Sequence, residues 1–205
     1  VEPGAYTREQ LTQRARYLRK AGINIVRQHA VFDELSTKDG QIDPQKLAEY
    51  DWWFAELEKH GIHSDWSVFY HWRIPRSAGY PLFDDLEGTG DVRDTYGVIT
   101  VAPELWQHRN KVLVELLTHR NPHTGLRYVD DPALAIVEMQ NEDSAFFWNP
   151  LGTLAEPAPK KWPRHAKQLR EKFAAWVKKK YATDAALAAA WGELRHGDSV
   201  KAAEL

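Results

Sequence analysis

Apolar positions in this chain recur first at helical and then at strand spacing, and they do so twice in succession. Thr7-Arg8-Glu9-Gln10 has the form of a capping box, with Thr7 as N-cap and Gln10 reaching back. Leu11, Ala15 and Leu18 follow at helical spacing, and Gly22 stops the helix. Ile23 to His29 then reads as a short β-branched strand. Asp43-Pro44 opens a second helix, with Asp as N-cap and Pro in the first turn. Its apolar stripe is Leu47, Tyr50, Phe54 and Leu57, Gly61 ends it, and Ile62 to Trp72 is the next strand. Strands joined by helices of this length make parallel βα units.

Residues 73 to 101, rich in Gly and Pro, read as a long irregular stretch, and such loops usually carry function or mobility. Pro103 opens a third helix carrying Leu105, Leu113, Leu116 and Leu117. After turns at Asn121-Pro122 and Gly125, Asp131-Pro132 leads into the strand Ala133 to Gln140. A helix over Pro163 to Tyr181 turns Leu169, Phe173 and Trp176 inward, and a short Ala-rich helix from Ala185 to Trp191 is closed by Gly192. This order fits a piece of a (β/α)8 barrel or of an open α/β sheet. A complete barrel takes about 250 residues and eight strands. With three strands in 205 residues, the expected fold is a partial (β/α)8 TIM barrel with parallel strands, one domain over residues 1–205.

Composition narrows the chemistry. A net charge of −2 selects neither nucleic acid nor an anionic membrane as partner. The chain has no cysteine, which excludes disulfides, thiolate nucleophiles and cysteine-ligated metals. No apolar run approaches the roughly 20 residues that span a bilayer. His60 and His63 lack metal-ligand spacing with any carboxylate, so no metal is expected. Nine tryptophans exceed what a small core needs, which raises the question of whether some line a cleft.

In a parallel barrel the active site lies at the C-terminal strand ends. The three ends here are Arg27-Gln28-His29, Tyr70-His71-Trp72 and Asn141-Glu142, all polar or titratable, which points to a shared pocket. The last belongs to Ala135–Trp148, AIVEMQNEDSAFFW, where an amide and a carboxylate are followed by flat rings suited to sugars. Period-2 alternation puts Ile136, Glu138, Gln140 and Glu142 on one side of their strand. Glu138 then faces the interior, where an unpaired charge is costly, so Arg27 or His29 is expected to pair with it. Each candidate also has a plainer reading. Glu142 is a catalytic or a solvated acid. Asn141 is a sugar contact or an Asx turn. His71, and less strongly His29, is a ligand contact or a satisfied core histidine. Trp72, Phe147 and Trp148 are sugar platforms or packing beneath loops.

GINIVR (Gly22–Arg27), VFYHW (Val68–Trp72) and VEMQNE (Val137–Glu142), in that order at strand ends, resemble the clan A glycoside hydrolases, most nearly the family 5 cellulase-type enzymes. LLTHRNPHTGLRYVDDPALAIVEMQNED also resembles the approach to the fourth strand in bacterial members, and the resemblance covers roughly residues 7 to 192. It implies a retaining glycosidase acting on an oligo- or polysaccharide, without cofactor. Glu142 is then the general acid/base, Asn141 bonds the sugar 2-hydroxyl, Arg27 supports the catalytic carboxylates, and His71 contacts the sugar at the cleavage point. As an acid Glu142 must hold its proton near neutral pH, through partial burial or a neighbouring carboxylate. The retaining route also needs a nucleophilic Glu about 5–5.5 Å from the acid.

The chain departs from the family there. It corresponds to the span from about the second strand to the fourth helix, and Glu193 and Glu204 are poorly placed as nucleophiles. The nucleophile is therefore expected outside this chain, the chain alone is expected to be inactive, and its partner is expected to be the missing half of the barrel or a second copy. The competing readings are a non-catalytic carbohydrate-binding α/β protein and a barrel enzyme in which Glu142 abstracts a proton beside a carbonyl.

Overall fold

Helix α1 (Arg8–Lys20) starts on the expected capping box, Thr7 Oγ1 accepting from the Gln10 N–H and Gln10 Oε1 from the Thr7 N–H. Helix α3 (Pro44–Lys59) is capped by Asp43, whose carboxylate accepts from the Gln45 and Lys46 amides. Between and after them run β1 (Ile25–Gln28) and β2 (His63–Ser67), and β5 (Leu134–Glu138) completes a parallel sheet in the order β1-β2-β5. The computed structural model describes residues 6–70, 72–194 and 198–200. It is a mixed α/β fold with a three-stranded parallel sheet.

The two faces of this sheet differ. On one side Trp66, fully buried, meets Tyr50 and Phe54 of α3 and Tyr128 edge to face, with ring centroids 5.5, 5.9 and 4.5 Å away. Buried Asp51 of α3 ties the layers together. It accepts from the Tyr128 hydroxyl at 2.5 Å and meets His119 Nε2 at 2.9 Å, just past α4 (Pro103–Thr118). The other side presents Ile25, Arg27, Asp65, Ile136 and Glu138. Arg27 pairs in register with Asp65, Asp65 with Ile136, and Ser67 with Glu138. Parallel sheets are normally covered on both faces. Here Ile25 and Ile136 remain 39% and 47% exposed.

Several elements depart from the sequence pattern. Parallel pairing of β2 stops at Ser67 rather than reaching Trp72. The chain then forms β3 (Arg73–Pro75), antiparallel to β4 (Val92–Asp94), within the stretch expected to be irregular. The Trp72 carbonyl fixes that change of direction by accepting from both the N–H and the Oγ1 of buried Thr95. Two short helices, α2 (Val31–Leu35) and α5 (Pro150–Ala155), are too brief to show a helical period. In α6 (Pro163–Lys180) the buried residues are His165, Ala166 and Val177, while Trp176 is 46% exposed. Helix α7 (Asp184–Trp191) follows the Ala-rich run. No described helix is long and apolar enough to cross a membrane.

The start of α6 holds a buried relay. Asp85 accepts from the Arg164 and His165 amides and, at 2.6 Å, from His165 Nδ1, which leaves Nε2 to accept from the Tyr80 hydroxyl at 2.7 Å. Burial holds His165 below the ordinary histidine range despite Asp85 beside it. The unfolded chain takes up this proton near pH 6.5, where folded His165 still resists it. Its contribution is therefore complete above about pH 6.5 and is lost as pH falls through that value toward the lower folded pKa. Denaturant midpoints taken at about pH 7.5 and about pH 5.5 should fall with acidity, and the fall should shrink in His165→Gln. An equal fall in both proteins would refute the assignment.

Candidate functional site

The polar residues gather at the C-terminal ends of β1, β2 and β5. Arg27, from β1, reaches over β2 to β5. Its Nη2 lies 2.5 Å from Glu138 Oε2, and its Nε donates to Oε1 at 3.0 Å. The pairing expected from strand alternation is therefore made by Arg27. The hydrogen bond to Glu138 raises the Arg27 pKa, aided by the charges of Glu138, Asp65 and Glu142, and the same bond holds Glu138 below its usual range. Asp65 is pushed up by burial and by the Glu138 charge.

Arg27 Nη2 also donates to Asn141 Oδ1 at 2.9 Å, and the Asn141 N–H donates to the Phe69 carbonyl at 2.9 Å. With its oxygen occupied, Asn141 offers its side-chain NH₂, so it is a donor toward any ligand at this mouth. Gln140 does not continue the alternation. Its Nε2 donates to the Tyr70 carbonyl at 3.0 Å and its Oε1 accepts from Arg109 of α4 at 3.1 Å, which ties the ends of β2 and β5 together.

Glu142 follows in the left-handed region, φ 47°, where a non-glycine residue is strained by about 1–2 kcal/mol. Its neighbours hold it there. Asn141 is fixed on one side, and on the other buried Asp143 accepts from the Gly97 N–H at 2.8 Å. Gly97 is needed at that point, since at φ 80° a Cβ would stand 2.6 Å from the Trp162 ring. Glu142 is exposed, so this chain does not supply the burial expected of an acid catalyst. Its charge reaches Arg27 and Tyr96 alike.

The remaining candidates separate. His29 stands beside the cluster, Nδ1 3.5 Å from both Arg27 Nη1 and Ser67 Oγ, with its ring 5.0 Å from Tyr70. His71 lies outside the described residues. Trp72 is a correction: at 1% exposure it packs in the core beside Phe69 and His108, and no sugar reaches its face. Trp148 is 79% exposed and Phe146 83%, while Phe147 sets its ring edge-on to Trp148 at 5.5 Å. The sequence reading missed Asp65, Asp143 and Tyr96. The first could have been found from the alternation of His63, Asp65 and Ser67 against Trp66. Among the described residues no group of three or more His, Asp or Glu is arranged to hold a metal ion.

Because the Trp148 ring is mostly in water, Trp148→Ala should leave the melting temperature unchanged. On the saccharide reading of the strand ends, titration with an oligosaccharide should show affinity weakened roughly two- to tenfold. Unchanged affinity would remove Trp148 from the site. No protein-family model matches this sequence, and no curated protein matches it.

Proposed function

We propose that this chain is the acid/base-bearing sector of a (β/α)8-barrel retaining glycoside hydrolase, cleaving O-glycosidic bonds of an oligo- or polysaccharide. One observation carries the reading. The guanidinium of Arg27 bonds both Glu138 and Asn141, and so aims the Asn141 NH₂ and presents Glu142 at one end of a parallel sheet. The half-exposed sheet face with Ile25, Arg27, Ile136 and Glu138 supports the barrel, since further strands closing the cylinder would cover it.

In this mechanism Glu142 protonates the leaving oxygen and then deprotonates the incoming water, while Asn141 donates to the sugar 2-hydroxyl. Glu138 is engaged by Arg27 and Asp143 by the Gly97 N–H. In this reading the nucleophile comes from a strand beyond this sheet, at the separation of about 5–5.5 Å that retention requires. The completed wall and the bound sugar would supply the burial that an acid catalyst needs. Assayed with its barrel complete, the protein should hydrolyse β-glycosides and release a product that first appears, by NMR, with retained anomeric configuration. The 205-residue chain alone should release none. An inverted product, or no hydrolysis across a panel of β-glycosides, rejects the reading. The exposed Phe146 and Trp148 rings favour a second reading, a non-catalytic carbohydrate-binding protein, whose signature is saccharide binding without turnover.

A further inference from the structure

A cleft of about 640 Å³ opens beside the strand ends, between the α2–α3 connection and the β3–β4 sheet. That volume is within the range of small-ligand sites, about 300–1,000 Å³. Ala30 and Tyr70, which follow the ends of β1 and β2, form its inner wall, and the Tyr70 ring is 5.0 Å from His29, next to Arg27. The cleft thus lies beside the polar cluster at the strand ends.

Its outer wall is built to hold two cations. Residues 36–42 form a tight turn, with the Thr37 N–H donating to the Gln41 carbonyl, the Gly40 N–H to the Thr37 carbonyl, and a bridge between Ser36 and Ile42. Lys38 sits on this turn. Gly40, at φ 70°, lets the turn press against β3, where a Cβ would stand 3.1 Å from the Arg73 carbonyl oxygen. Backbone packing therefore brings Lys38 and Arg73 to one cleft. Among the described residues neither side chain forms an ion pair, whereas Arg27, Arg76 and Arg127 are each paired with a carboxylate. Asp33 and Asp94 also line the cleft, and Asp94 Oδ1 accepts from the Tyr96 N–H. Carboxylates are acceptors for hydroxyl groups, and guanidinium and ammonium groups are donors to oxyanions. A ligand matching both carries hydroxyls and a negative charge on one ring.

We propose that this cleft is a subsite for an acidic sugar, with Lys38 and Arg73 binding an oxyanion substituent, a uronate carboxylate or a sulfate ester, and Asp33 and Asp94 accepting from ring hydroxyls. The inference rests on the saccharide reading above and names the substrate class. Its test is equilibrium binding by calorimetry at low and high salt. The probes are a uronate oligosaccharide, its carboxyl-reduced neutral counterpart, and a sulfated oligosaccharide with its desulfated form. At least one acidic probe should bind about tenfold more tightly than its neutral partner, and added salt should shrink the difference. Which one does so identifies the substituent. Lys38→Gln and Arg73→Gln, both exposed and so not expected to disturb folding, should each reduce that preference several-fold. Equal binding of acidic and neutral probes, or preference unchanged in both variants, overturns the proposal. Acidic preference with no hydrolysis by the protein assayed with its barrel complete would refute the glycosidase reading alone, and hydrolysis of neutral glycans without acidic preference would refute this one alone.

Discussion

Replacing Glu142 with glutamine in the completed enzyme should cut turnover of glycosides with poor leaving groups by about 10²–10⁴-fold. The physical reason is specific to an acid/base. A poor leaving oxygen departs only as it is protonated, whereas a dinitrophenolate leaves without help, so its release should suffer far less. Hydrolysis of the glycosyl-enzyme would then be slow, because water has lost its base, and azide, which needs none, should restore turnover and give a glycosyl azide. Folding should be spared, since Glu142 is exposed and glutamine keeps the shape of its side chain. Equal losses on good and poor leaving groups, or no loss at all, would remove Glu142 from the acid/base role.

Trp72→Ala should act on stability and by a large margin. The ring is 1% exposed and packed against Phe69 and His108, so truncation leaves a cavity as well as lost transfer free energy. Such substitutions cost about 3–5 kcal/mol, a large part of the total stability of an ordinary domain. Denaturant titration should show a much lower midpoint. The sugar-platform reading of the same residue expects the opposite pattern, weakened saccharide binding with an unmoved midpoint, and that result would contradict the packing.

The two tryptophans show where sequence reading stops. Trp72 and Trp148 both follow polar strand ends and looked alike as candidates. Their difference arises from long-range contacts, α4 bringing His108 to Trp72 while nothing described covers Trp148. By contrast, the caps of α1 and α3 were legible because a capping side chain bonds within its own turn. The first two parallel strands were legible from the period change after Gly22 and Gly61, and the third from the apolar run after Asp131-Pro132. The Arg27–Glu138 pair was legible because alternation fixed the face of Glu138 and few cations were on offer. Gln140 was not, since alternation holds only as far as strand pairing, and β5 ends at Glu138. The second sheet was hidden for a related reason: three-residue strands, one ending in Pro75, carry no period to read. The left-handed backbone of Glu142 had no local signal, because Glu is an unusual residue there and the anchors, Phe69 and Gly97, are distant in sequence.

The contact between Arg27 and Glu138 joins side chains 111 positions apart, from the first strand of the sheet to the last, over the strand between them. Closing so long a loop is slow relative to forming the helices on either side. Because Asn141 takes its orientation from the same guanidinium, a nascent or half-folded chain has β5 unplaced and its amide unaimed. Any contact that the Asn141 amide makes at this mouth thus waits until β5 has docked.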